Sequence, residues 1–342
     1  MINVVSGNKI KIIPDKAPSE QTKITYLRIS VTDRCNLKCF YCRPENQEFI
    51  PRQEILDYED MVKLVKVLTK FGLKSVRITG GEPLLRQDIE KFVAMLNEVE
   101  GIDDISMTTN AITLKKHAKA LKEAGLRRLN ISIDSLKPEL FYEITKGNLQ
   151  DVIDGIVEAK KLGIEPIKIN AVIIKGLNEN EALDFVEFGK EYGVEVRFIE
   201  MMPIGQGQIK WDEDMVQPLE KVKNMIEEKY GELVPSSSIG SGAARVYEIP
   251  SINTKVGFIT PLSNPFCDGC SKLRLTVEGS IKLCLRTDDE IIAKDILKNG
   301  TEKEIEEFVR KVVVAKEISN QNIQFNNYAF GECQRIMTSI GG

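Results

Sequence analysis

A single histidine stands in this chain of 342 residues, and that scarcity narrows the metal chemistry open to it. His117 falls in a run that predicts a helix, far from any cysteine, so it reads as a surface residue. A mixed Cys/His zinc site has nothing to build on near the first cysteines. A basic excess is missing as well: 47 Lys and Arg against 51 Asp and Glu give a formal net charge of −4 and a pI near 5.5. That argues against a general nucleic-acid binder, and any anionic ligand must be held by cations gathered locally. No apolar run approaches the length of a membrane span. Met1 to Glu20 lack the apolar core and small-residue cleavage site of a secretory signal. These absences predict a cytoplasmic protein with no membrane and no nucleic-acid partner. A disulfide pattern is absent too. The seven cysteines, at 35, 39, 42, 267, 270, 284 and 333, form two tight groups and an orphan, which points to metal or redox work.

What is present is an ordinary globular composition, 42% apolar and 29% charged, in a chain long enough for one large domain and a smaller one. Residues 1–21 are polar, carry Pro14 and Pro18, and read as an N-terminal extension. Strand-like runs follow at Tyr26–Val31, Ser75–Thr79, Asp104–Thr108, Arg128–Ile133, Ile167–Val172 and Val194–Ile199. Helical patterns separate them, at Tyr58–Phe71, Ile89–Val99, Leu114–Ala124, Asp151–Leu162 and Glu181–Tyr192. Such alternation predicts βα units on a parallel sheet, and six units suffice for an incomplete (β/α)6 TIM-type barrel over 22–235. A Ser/Gly-rich stretch, Ser236–Ala243, marks the start of a smaller β-containing C-terminal domain, 236–342. It holds a predicted hairpin, Leu273–Val277 and Ile281–Leu285 around Glu278-Gly279, and a helix over Glu302–Lys316.

The strands alternate in polarity. Leu27, Ile29 and Val31 oppose Arg28 and Ser30; Val76 and Ile78 oppose Arg77; Ile167 and Ile169 oppose Lys168; Val196 and Phe198 oppose Arg197. Parallel barrel strands are ordinarily apolar on both faces. Here the apolar faces are expected to pack on helices and the other faces to line a polar, cationic, ligand-filled lumen.

Cys35, Cys39 and Cys42 have the spacing C-x3-C-x2-C just after the first barrel strand. Three thiolates on one loop can hold three irons of a 4Fe–4S cube and leave the fourth without a protein ligand. With Tyr41 before the last cysteine, and Gly80-Gly81-Glu82-Pro83 after the second strand, the chain resembles the radical S-adenosylmethionine (SAM) superfamily. The resemblance implies that the open iron chelates SAM and that the reduced cluster cleaves it to a 5′-deoxyadenosyl radical. Glycines there let the backbone approach the ligand, and Glu82 is expected to receive the methionine ammonium.

Cys267-Asp268-Gly269-Cys270 with Cys284 makes a second group of three. With it, and with the strings Tyr26–Cys35, Arg77–Leu84, Arg197–Met202 and Phe266-Cys267, nearly the whole chain resembles the GTP 3′,8-cyclases of molybdenum cofactor biosynthesis. That implies a lyase with two 4Fe–4S clusters, the second binding the guanine of GTP. It also implies SAM contacts at Tyr41, Gly80, Gly81, Glu82, Ser132 and Met202. GTP contacts fall to Arg28, Arg77, Thr108, Lys168, Arg197, Lys272 and Arg274. The diglycine tail, Gly341 and Gly342, is expected to enter the active site and act beside Arg28. The family further implies an electron donor and a downstream enzyme that rearranges the product; a homodimer is left open. Three positions depart from the family's pattern: Lys272 for Arg, Ala111 for Gly, and Arg43 for Met.

Two other readings remain from the sequence. One is a peptide-modifying radical SAM enzyme with an auxiliary C-terminal cluster, which the strand cations disfavour. The other is a non-catalytic iron–sulfur carrier or zinc scaffold, which leaves the glycine motif unexplained. For the second cysteine group alone, a structural zinc with Cys333 as fourth ligand also stands; otherwise Cys333 is a small buried side chain.

Overall fold

The computed structural model describes residues 2–6, 9–13, 17–19, 22–204, 207–240, 242–265, 269–325, 333 and 335–341; Cys267 and Gly342 lie outside them. Strands β1 (Ile2–Ser6) and β2 (Lys9–Ile13) form an antiparallel hairpin. Within the region read as an N-terminal extension, these described segments pair with each other, and β1 also joins the edge of a larger sheet.

The barrel begins with β3 (Tyr26–Ser30), α1 (Tyr58–Thr69), β4 (Ser75–Thr79), α2 (Ile89–Asn97), β5 (Asp104–Thr109) and α3 (Leu114–Glu123). It continues through β6 (Arg128–Ser132), α4 (Pro138–Thr145), α5 (Leu149–Lys161), β7 (Ile167–Ile173), α6 (Ala182–Tyr192), β8 (Glu195–Glu200) and α7 (Leu219–Tyr230). Then come β9 (Val234–Ser236), β10 (Arg245–Ile249), β11 (Thr254–Ile259), β12 (Lys272–Leu275), β13 (Ser280–Lys282) and β14 (Asp289–Ile292). Helices α8 (Lys294–Asn299), α9 (Glu302–Phe325) and α10 (Met337–Ile340) close the chain. Among the described residues, no helix is long and apolar enough to cross a membrane.

Strands β3 to β8 are parallel neighbours in chain order. This is the expected curled α/β sheet, with boundaries within two residues of those read from the sequence. The sheet does not stop there. β12 adds in parallel to β3 and β11 in parallel to β8, so among the described residues fourteen strands form one continuous order. The stretch expected to open a second domain starts at the last residue of β9, and the strands beyond it extend both edges of the barrel. β12 and β13 pair antiparallel as the predicted hairpin, and β14 carries the pairing on to β1. Helix α9 runs past the expected end at Lys316 to Phe325.

Register explains the polarity of the strands. Ile29, Ile78, Met107, Leu129 and Ile167 align across five strands, and all are buried under the outer helices. One residue away the pleat points inward. Arg274, Arg28, Arg77, Ser106 and Arg128 align across β12, β3, β4, β5 and β6. The next inner row is Thr108, Asn130, Lys168 and Glu195, and above it stand Ser132, Asn170, Arg197 and Gly257.

Candidate active site

The loop carrying the first three cysteines is an outgrowth of β3, and the glycine loop after β4 locks onto it. Val31 donates its amide to the Thr79 carbonyl at 2.9 Å, Gly81 to Thr32 at 2.6 Å and Glu82 to Arg34 at 2.7 Å. A Cβ on Gly81 would collide with the Arg34 carbonyl, and one on Gly80 (φ +155) with that of Thr32. These glycines therefore admit the cysteine loop itself, as well as lining the cavity beside it. On the far side the loop is held by the C-terminal carbonyls of α4. Lys38 donates to Thr145 at 2.8 Å and Phe40 to Ile144 at 3.3 Å.

Cys35, Cys39 and Cys42 all line one cavity of about 420 Å³. Burial pushes all three thiols up, Cys35 to about 11, Cys42 to about 12 and Cys39 well above the ordinary range. For Cys39 and Cys42 the next cause is a neighbouring thiol of the set. Such a group keeps its protons until a cationic centre replaces them. Among the described residues, no three His, Cys, Asp or Glu close on a single-ion site. Three thiols on one loop suit a cubane, whose cysteines each bind a different iron. The donor set fits the cluster.

Of the expected SAM residues, Tyr41, Gly80, Gly81, Glu82, Ser132 and Met202 line the same cavity. The Tyr41 hydroxyl donates to Asp134 at 2.6 Å, and the other Asp134 oxygen accepts from the Val172 amide at 2.9 Å. Asp134, not singled out from the sequence, is pushed up to about 6, chiefly by burial. Glu82 is more committed than expected. Its Oε1 accepts from Leu84 N–H at 3.0 Å and Thr109 Oγ1 at 2.7 Å, and its Oε2 from Asn110 N–H at 2.7 Å. One acceptor position on Oε2 is left for a ligand ammonium. Asn110 also donates to Cys35 Sγ at 3.7 Å and to Asn36 at 2.8 Å. The next residue, Ala111, is buried at φ +61, a conformation that favours glycine. Arg43 is buried, its guanidinium 5.7 Å from the Phe49 ring centre.

At the other edge of the cavity stand Cys270 and Cys284. For Cys270, burial raises the thiol pKa, but Lys316 and other local partners outweigh it and bring it below the ordinary value. Cys333 is buried in a small apolar cluster with Ile204 and Ile340.

Between the two cysteine sets, Arg28, Arg77, Thr108, Arg197, Lys272 and Arg274 face the cavity. Arg28 donates to Thr108 Oγ1 at 3.4 Å, its buried Nε has no partner in the structure, and burial with Arg274 beside it lowers its pKa to about 9. Burial also lowers Arg77 and Arg274. Arg77 donates to Ser106 at 3.2 Å and lies over the Tyr26 ring. Arg197 donates to Glu195 at 2.6 Å and to Ser238 at 3.1 Å.

Lys168 differs from the expectation. It is buried, but its Nζ donates to the Ile239 carbonyl rather than lining the cavity, and burial followed by Arg197 lowers it to about 7. Arg128, not singled out from the sequence, donates to the same carbonyl at 3.1 Å and pairs with Asp104. The Ile239 carbonyl of the Ser/Gly-rich stretch thus ties Lys168 and Arg128 together at this end of the lumen. Asn130 leaves both polar atoms of its side chain without a partner, and Asn170 leaves its Oδ1 so.

The tail reaches this region through α10. Arg274 Nη1 donates to the Gly341 carbonyl, and Gly341 (φ +75) has no room for a Cβ against Thr79. Ser30 and Gln47 donate to Thr338 at 3.5 and 2.8 Å.

Comparison with known proteins matches residues 29–189 to the Radical SAM superfamily and 194–322 to Molybdenum Cofactor Synthesis C. A protein of Thermodesulfovibrio yellowstonii named GTP 3′,8-cyclase is 43% identical over 297 residues, covering 86% of this chain and 92% of that one. Another of the same name, from Listeria monocytogenes serovar 1/2a, is 43% identical over 323 residues, 93% of this chain and 96% of that one. Among solved structures, Streptococcus suis SuiB bound to S-adenosylmethionine aligns with a TM-score of 0.59 at 16% identity, over 93% of this chain and 77% of that one. At that identity the likeness is one of fold.

Proposed function

Since this chain belongs to the GTP 3′,8-cyclase family of radical SAM enzymes, we propose that its cavity converts GTP to 3′,8-cyclo-7,8-dihydroguanosine 5′-triphosphate, the first step of molybdenum cofactor biosynthesis. Cys35, Cys39 and Cys42 would hold the 4Fe–4S cluster. When bound, a reduced cluster with SAM would supply hydrogen-abstracting chemistry at an unactivated carbon, here ribose C3′. Closing the C3′–C8 bond to the 7,8-dihydro product would take one further electron, from the external donor, and a proton. Tyr41, Gly81, Ser132 and Met202 would orient SAM, and the last acceptor position of Glu82 would hold its ammonium. A second 4Fe–4S cluster on Cys267, Cys270 and Cys284 would present the guanine. An external electron donor and a downstream enzyme acting on the cyclic product complete the reading.

The observation that carries it is the run of three arginines, Arg274, Arg28 and Arg77, in register on adjacent strands, with proton affinity lowered by burial. Packing one buried and two half-buried guanidiniums side by side is unfavourable unless an anion arrives to share their donors. A triphosphate does so with charge-assisted bonds, and Arg197 and Lys272 widen the cradle. Buried side chains around the cavity also exclude water, which protects a carbon radical.

The test is anaerobic reconstitution with iron and sulfide counts, then SAM, dithionite and GTP. GTP-dependent 5′-deoxyadenosine and the cyclic product are expected. No GTP dependence overturns the substrate, and zinc at the second cysteine group overturns the guanine site.

A further inference from the structure

Lys316 has almost no exposed surface, yet it faces the cavity from α9. Its Nζ donates to the Leu283 carbonyl at 2.6 Å and to Cys270 Sγ at 3.6 Å. Leu283 immediately precedes Cys284, so one ammonium ties together the described segments that carry Cys270 and Cys284 of the second cysteine group. Four residues on, and so on the same helix face, Asn320 donates to the Cys270 carbonyl at 2.9 Å. Neither side chain is used in the SAM and GTP assignments above.

The energetics demand a role. Taking an ammonium out of water is costly unless an anion is close. A carbonyl and a neutral thiol do not offset that cost, whereas thiolates around a metal cluster do. The N-terminal set differs in kind: its hydrogen-bond donors to sulfur are neutral, the Asn110 amide and the Leu37 N–H on Cys35, with Arg43 adding charge near Cys35 and Cys42. Hydrogen bonds to the sulfurs and nearby charge both tune a cluster's potential. A cationic donor favours the reduced, more negative state and so raises it.

We propose that Lys316 is the positioning and charge-balancing residue of the C-terminal cysteine site, fixing Cys270 against the Cys284 segment and raising the reduction potential of the cluster bound there. This rests on the reading that Cys267, Cys270 and Cys284 hold a second 4Fe–4S cluster.

The experiment is a redox titration of the reconstituted full chain followed by electron paramagnetic resonance, without GTP, for wild type, Lys316→Met, Lys316→Gln and Lys316→Arg. Two waves are expected in wild type. One should move to lower potential in Lys316→Met, less far in Lys316→Gln, and return most of the way in Lys316→Arg, while the other stays fixed. Because Lys316→Gln keeps a hydrogen-bond donor, it also serves if the Met variant does not fold. Two clusters with unmoved potentials in both uncharged variants overturn the proposal alone. A single cluster in wild type overturns the two-cluster reading and the proposal with it.

Discussion

The Tyr41 hydroxyl donates to the Asp134 carboxylate at 2.6 Å, joining the cysteine loop to the segment just after β6. It is a side-chain link between the candidate cluster loop and the wall carrying Ser132. Tyr41→Phe would leave one Asp134 oxygen buried and unpaired, at about 1–3 kcal/mol. Chemical denaturation should show a loss of that size, and SAM affinity should fall with it. Unchanged values in both would make the link incidental.

Gly81→Ala should be far more damaging than its size suggests. The new methyl meets the backbone carbonyls of Arg34 and Asp33, which cannot turn aside as a side chain could. We expect the cysteine loop to shift, and anaerobically reconstituted iron in the N-terminal site to drop severely while the far-ultraviolet circular dichroism stays near wild type. Full iron loading would show that the loop has more room than its hydrogen bonds indicate.

Lys168 makes a prediction about pH. Its pKa is lowered from 10.5 to about 7 in the fold, so between those values the unfolded chain binds more protons than the folded one. Its contribution to stability therefore rises with pH across that window and is flat below about pH 7. Urea midpoints at pH 7 and pH 9 should show a gain in wild type that is smaller in Lys168→Met. Identical slopes would mean that the lysine is charged in the fold.

The tail docks on Arg274, which donates to the Gly341 carbonyl and, at 3.3 Å, to that of Ile340. Removing Gly341-Gly342 should cut cyclic product on the order of 100-fold, as small misplacements near a reacting centre do, while SAM binding persists. Arg28→Ala should behave alike. Product formation at wild-type rate in either variant would dismiss the role given to that residue.

Much of this site is legible in the sequence because its logic is local. The C-x3-C-x2-C spacing fits one loop, and the pleat of a parallel strand forces Arg28, Arg77 and Arg197 to the face opposite their apolar neighbours. Lys168 obeys the same parity, yet a carbonyl 71 residues away captures it. Glu82 was legible as a motif, but Thr109 and Asn110, which fill three of its acceptor positions together with Leu84, come from the next strand and loop. The pairing of β1 with β2 and with β14 was not legible in a stretch read as a polar extension, because β14 lies almost three hundred residues further along the chain.

By itself the sequence determined the βα order, the inward polar face and the three-cysteine loop, since each depends on backbone periodicity or spacing over a few residues. Only the tertiary structure decided which cations open on the cavity, where Gly341 docks, and that Lys316 closes on Cys270. Those choices are made by hydrogen-bond partners tens of residues apart, brought together because one continuous sheet wraps the chain's C-terminal strands onto both edges of the barrel.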